Sequence, residues 1–147
     1  MCGHTGAMQR ARFHLAVPVD DLAKARRFYG EVLGLPEGRS SEKWVDFDMF
    51  DHQLVIHEVS STRNSIEGTN PVDGDDVPVP HFGVILNPTD FDALAARLRE
   101  HDLNFVIDPH VRFVGETGEQ HTMFFLDPAG NALEFKAFAN DDQVFAT

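Results

Sequence analysis

The sequence predicts an α+β domain made of one βαβββ unit used twice. Three observations predict it. Strand-like and helix-like segments follow one another in the same order on both sides of residues 60–78. Each half opens on a short apolar stretch carrying one histidine, "FHLAV" and "PHFGV". The chain has 147 residues, 42% of them hydrophobic, which suits one globular domain whose core needs no disulfide.

Taken in order, residues 12–17, "RFHLAV", read as a strand that Pro18 ends. "DDLAKARRFYGEVLGL" reads as a helix, with Asp20 or Asp21 as its cap and Gly34 as its stop. Leu22, Ala25, Phe28, Tyr29, Val32 and Leu33 recur at helical spacing within it. A short strand falls near 39–41. In "WVDFDMF", Val45, Phe47 and Met49 alternate with Asp46 and Asp48, as on a half-buried strand. "DHQ" turns the chain and "LVIHEV" forms the next strand. Residues 60–78 are rich in Ser, Asn, Asp, Gly and Pro and read as a linker. "HFGVIL" is then a strand. "TDFDALAARLREHDL" is a helix capped by Thr89 or Asp90, and "NFVID", "HTMFFLD" and "NALEFKAF" are three more strands. The domain spans 12–138, with module 1 at 12–59 and module 2 at 79–138.

Laying one half on the other puts His14 on His81, and "VIH" over "ALE" puts His57 on Glu134. The loop "PHVRFVGETGEQ", 109–120, has no counterpart in the first half, and long loops in compact domains often carry function. Side chains alternate along a strand. With the bulky apolar sets facing the helices, His14, His57, His81 and Glu134 all fall on the opposite face. They lie there beside Ala16, Gly83 and Ala132, small residues that leave room for a ligand.

The bulk numbers exclude some functions. Acidic residues outnumber basic ones 24 to 12, a formal charge of -12, which argues against nucleic acid and anionic membrane surfaces as partners. One cysteine, Cys2, permits no intrachain disulfide and fits a reducing compartment. No stretch approaches a membrane span or a signal sequence, so a cytoplasmic protein is expected.

The opening "FHLAVPVDDLAKARRFYGEVLGL", the central "VPHFGVIL" and the closing "FFLDPAGNALEFK" resemble the vicinal oxygen chelate superfamily. That group holds glyoxalase I, extradiol dioxygenases, fosfomycin-resistance enzymes and bleomycin-binding proteins. The resemblance covers roughly 12–138. It implies two βαβββ modules curling into a cupped mixed sheet around a divalent metal, often in a homodimer. Carried over, the ligands fall on His14, His81 and Glu134. His57 stands where glyoxalase I has a glutamate, and is either a fourth ligand or an acid/base facing substrate. Two imidazoles and a carboxylate suit Fe, Zn, Mn or Ni with positions open for substrate. Crowding these groups on one face without metal would cost desolvation, and the alternative is a structural polar cluster.

Arg112, Gln120 and Lys136 are the substrate-binding candidates. Arg112 either meets a carboxylate or phosphate or sits on a solvated loop. Lys136 shares the face of Glu134 or is a surface lysine. Glu116, Glu119 and His121 lie in or beside the same loop. Two functions are expected. The first is a metal-dependent enzyme for a small oxygen-chelating molecule, either a glyoxalase-like lyase or isomerase or an extradiol-type dioxygenase. The second is a non-catalytic drug- or metabolite-binding protein. The histidine at 57 counts against true glyoxalase I, and the intact ligand set counts against mere sequestration.

Overall fold

The computed structural model describes residues 10–60 and 68–147. Cys2, His4 and part of the expected linker lie outside them. The first half contains β1 (His14–Val19), α1 (Leu22–Arg27), β2 (Glu37–Ser40), β3 (Trp44–Met49) and β4 (His52–Glu58). Its sheet runs β1-β4-β3-β2, with β1 parallel to β4 and the other pairs antiparallel. Asp21 caps α1, its carboxylate accepting from Lys24 N at 3.1 Å. The predicted helix does not stay α-helical. It widens to a π-helical turn at Phe28–Val32, closed by the Leu33 N–H on the Phe28 carbonyl, and both Phe28 and Tyr29 point inward there.

Residues 60–78 are more than a linker. From residue 68 they form an antiparallel hairpin of β5 (Gly68–Val72) and β6 (Asp75–Val79), turned at Asp73 and Gly74, both with positive φ. Asp-Gly flanked by pairing residues is a hairpin signal that the surrounding Pro, Asn and Asp content masks.

The second half contains α2 (Pro88–Glu100), β7 (Phe105–Arg112), β8 (Gln120–Leu126) and β9 (Ala132–Phe138). Asn87, rather than Thr89 or Asp90, caps α2. Pro88 occupies the first turn and the Asn87 side chain accepts from Asp90 N at 2.8 Å. Residues 82–86 run parallel to β9. Glu134 N donates to the Phe82 carbonyl at 2.8 Å and Leu86 N to the Lys136 carbonyl at 2.7 Å. The second sheet therefore repeats the order of the first: 82–86, β9, β8, β7.

The expected loop 109–120 is shorter than the sequence suggests. β7 continues to Arg112 and β8 starts at Gln120, with these two residues paired across the ladder. A register shift between Ile107 and His110 absorbs Pro109, which reads as a breaker in sequence but needs only a bulge.

Both halves pack onto one core. Val17, Phe47 and Ile56 from the first sheet meet Met123, Phe125, Leu133 and Phe135 from the second, with Phe28 and Tyr29 after α1 and Phe91 and Leu98 of α2. One buried and one partly buried hydrogen bond join the halves. Tyr29 Oη donates to Asp127 Oδ2 at 2.7 Å, and Asn131 Nδ2 donates to the Pro18 carbonyl at 2.9 Å. Burial, the Asp127 charge and this bond hold the Tyr29 hydroxyl well above its ordinary pKa, so it stays a donor. The faces opposite this core carry the candidate polar residues. No helix among the described residues is long and apolar enough to cross a membrane.

Candidate functional site

Glu134 sits in the middle of β9, on the face away from the core and 8% exposed. Its neighbour in the ladder is Phe124, and Thr122 lies opposite Lys136. A buried carboxylate needs partners, and Glu134 divides them between its two oxygens. Oε2 accepts a short hydrogen bond from Thr122 Oγ1, and Arg112 Nη1 stands 3.5 Å from it. Oε1 faces His81 Nε2 at 3.3 Å. Burial pushes the Glu134 carboxyl up. The hydrogen bonds from His81 and Thr122 and the charge of Lys136 outweigh it and keep the carboxyl below its ordinary range.

His81 stands at the head of the segment beside β9. Its Nδ1 lies 2.6 Å from the Pro78 carbonyl, which can only accept, so Nδ1 carries the proton. Nε2 is left facing Glu134 Oε1, to which it donates when the ring is protonated, and it has a lone pair to offer an ion when the ring is neutral. The hydrogen bond with Glu134 raises the pKa of His81, and burial opposes that rise. The ring packs edge-on against Phe124 at 4.8 Å.

Position 83 next to it must be glycine for a reason the sequence does not display. A Cβ there would collide with the Glu134 carbonyl oxygen. Gly83 is small to let two backbones meet, and not to leave room for a ligand.

His14 occupies the matching place on β1. Its Nδ1 lies 2.8 Å from Gln53 Oε1, so it too donates through Nδ1 and carries a lone pair on Nε2. Both histidines thus have Nδ1 tied to an oxygen, the second contact that orients a metal-binding imidazole, with Nε2 as the nitrogen that could reach an ion. Within this chain His14 does not join the other two. Among the described residues no cluster of three or more His, Cys, Asp or Glu forms.

His57 does not meet His14. It pairs with Pro18 on one side and Trp44 on the other, whereas His14 pairs with Gln53. Four residues of strand separate the two levels by roughly 13 Å, beyond a shared coordination sphere. The ladders also correct the overlay of the halves. Paired residues lie 39 positions apart between β1 and β4 (14 with 53) and 51 apart between 82–86 and β9 (82 with 133). With His14 on His81, Val55 falls on Glu134 and His57 falls on Lys136. The first half therefore has an apolar residue at the carboxylate position.

Arg112, expected to reach for substrate, is 3% exposed, and its Nη2 is 3.2 Å from Asp75 Oδ2. Gln120, its ladder partner, is buried and donates to the Gly118 carbonyl at 3.1 Å. Lys136 holds the face of Glu134, with its ammonium over the Phe138 ring. Sequence reasoning passed over Thr122, Phe124 and Asp75. The first two share parity with Glu134 across the ladder, a signal available only once register is known. Asp75 comes from a hairpin distant in sequence.

One family model and three solved structures resemble this chain. The family model described as Glyoxalase/Bleomycin resistance protein/Dioxygenase superfamily matches residues 12–135. A crystal structure of a glyoxalase/bleomycin resistance protein/dioxygenase from Alicyclobacillus acidocaldarius is 33% identical, with a TM-score of 0.77, over 92% of this chain and 96% of that one. A genomically encoded fosfomycin resistance protein from Listeria monocytogenes shares the fold at 18% identity and TM-score 0.64, over 92% and 98% of the two chains. A glyoxalase/dioxygenase from Nostoc punctiforme does so at 22% and 0.65, over 89% and 92%.

Proposed function

The chain belongs to the Glyoxalase/Bleomycin resistance protein/Dioxygenase superfamily, and on that premise we propose that it is a divalent-metal-dependent enzyme acting on a small oxygen-chelating substrate. The observation that carries this is the pairing of His81 Nε2 with Glu134 Oε1 at 3.3 Å, each group fixed from behind by a hydrogen bond on its other heteroatom. Two donors meeting at this separation, one imidazole and one carboxylate oxygen, suit adjacent positions on an ion such as Fe(II), Mn(II), Zn or Ni.

His14 is the third ligand, supplied by a second copy of the chain. Three features support that. The ligand-bearing faces of both sheets turn away from the shared core. His14 is already held in the metal-binding tautomer by Gln53. And an apolar cavity of about 580 Å³, lined by Phe13, Leu15, Met49, Phe82, Val84 and Ile85, opens beside the two edge segments, where Phe13 is 65% exposed. In a homodimer, each cup would draw His81 and Glu134 from one subunit and His14 from the partner subunit.

The chemistry follows from the residues. A divalent ion held there would supply Lewis-acid polarisation of a chelating substrate oxygen. The chain's own groups do the rest. His81 and Glu134 fix the site's position, Phe124 excludes water from one side, and Lys136 places a positive charge on the same face for an anionic oxygen. His57 stands apart from the ligand set.

Metal analysis of purified protein tests the proposal. One divalent ion per chain is expected in the wild type, and His81→Ala should lose it. Absence of stoichiometric metal in the wild type would favour the drug- or metabolite-binding function, with His81 and Glu134 a plain ion pair. With metal bound, oxygen uptake against a catechol panel separates a dioxygenase from a lyase or isomerase.

A further inference from the structure

We propose that Arg112 is a positioning residue for Glu134, held in that role by Asp75 of the β5–β6 hairpin, so that the carboxylate offers one oxygen, Oε1, to a divalent ion. The proposal rests on the metal site above. Glu134 has two oxygens with different surroundings. Oε2 is engaged by Thr122 and flanked by Arg112 Nη1, and Oε1 is turned to His81. A carboxylate gripped by one oxygen binds an ion through the other and keeps further coordination positions open.

The grip is built from outside the sheet. Arg112 is the last residue of β7, and its guanidinium lies over the Phe124 ring at 5.6 Å. Asp75 Oδ2 lies 3.2 Å from Arg112 Nη2 and 2.8 Å from His110 Nε2. Asp73, in the same hairpin turn, accepts from the Phe113 N–H at 2.9 Å. Three contacts from one turn therefore fasten the hairpin to the end of β7, at the residue that flanks the ligand.

Stability alone does not account for Arg112. A buried arginine is costly unless fully satisfied, and its Nε is buried with no hydrogen-bond partner. Charge and position make opposite predictions for it. A cation 3.5 Å from a ligand oxygen weakens the attraction of that oxygen for a divalent ion. If charge were its whole effect, removing Arg112 would tighten metal binding. If it positions Glu134, removal weakens binding despite the gain in negative charge.

Titration of metal-free protein with Co²⁺, followed by calorimetry and by the visible absorption of the bound ion, decides between them. The chains to compare are wild type, Arg112→Met, Arg112→Lys and Asp75→Asn. Arg112→Met and Asp75→Asn are expected to lose about ten- to a hundredfold in Co²⁺ affinity, as outer-sphere substitutions do, and to change the absorption bands. Arg112→Lys should recover part of the affinity. Asp75 is partly exposed, so Asp75→Asn carries the test if Arg112→Met does not fold. Unchanged or tighter binding with an unchanged spectrum overturns the positioning role and leaves the metal site standing. A wild type that binds no Co²⁺ overturns both.

Discussion

Glu58 shows how one side chain can fasten a helix to a sheet. It ends β4, and its Oε2 accepts from the Leu22 N–H at 2.9 Å, at the opening turn of α1, while Lys43 Nζ lies 3.1 Å from Oε1. The Leu22 bond, then the Lys43 bond, hold its carboxyl below the ordinary value of 4.5. A carboxyl whose folded pKa is depressed stabilises the fold above its unfolded pKa, and that contribution is lost as pH falls through the folded value. The wild type should therefore exceed Glu58→Gln in urea resistance at pH 7, and the gap should close as pH drops below about 4.5. Equal midpoints at pH 7, or a gap that widens in acid, would contradict this account. The helix's own cap, Asp21, is visible in sequence because N-caps act within three residues. Glu58 is not, because it acts across 36.

At the scale of elements, the junction between segment 82–86 and β9 is the most demanding packing in the second half. The Cβ of an alanine at position 83 would overlap the Glu134 carbonyl, a backbone atom that cannot swing aside. Gly83→Ala should thus cost about 3 kcal/mol or more, measured by denaturant unfolding, because relief requires separating two strands. A loss under 1 kcal/mol would mean that the strands are not in this close contact. Much of the element order was legible in the sequence because strand and helix periods are local. The faces of His14, His81 and Glu134 were legible for the same reason, since parity needs only neighbours along one strand. What sequence did not display was register. "VIH" over "ALE" keeps the right strand parity but is two residues out of step, and hydrogen bonding makes Val55 the equivalent of Glu134. Arg112 and Gln120 looked like loop residues because Pro109 precedes them, and the bulge that absorbs it exists only in the paired ladder. Asp75 reaches Arg112 across 37 positions, and no local pattern encodes such a meeting.

For the whole molecule, the question is which chain completes each site. The two halves share one core, and among the described residues His14 forms no ligand cluster with His81 and Glu134, so the proposed site takes its third ligand from a second copy. A twofold dimer would bring the His14 surface of one subunit against the His81–Glu134 surface of its partner, and would do so twice. This makes a prediction that a site within one chain cannot share. His14→Ala and His81→Ala homodimers should each lack a complete site. In a mixed dimer of the two variants, one site combines both substitutions. The other combines His14 from the His81→Ala subunit with His81 and Glu134 from the His14→Ala subunit, and is intact. Random reassociation of equal amounts should therefore restore about a quarter of the wild-type metal sites, since half the dimers are mixed and each carries one good site. The measurement is bound metal per chain after the variants are unfolded together and refolded, against each refolded alone. If the three ligands come from one chain, every site in the mixture still lacks a histidine and the metal content stays at that of the separate variants.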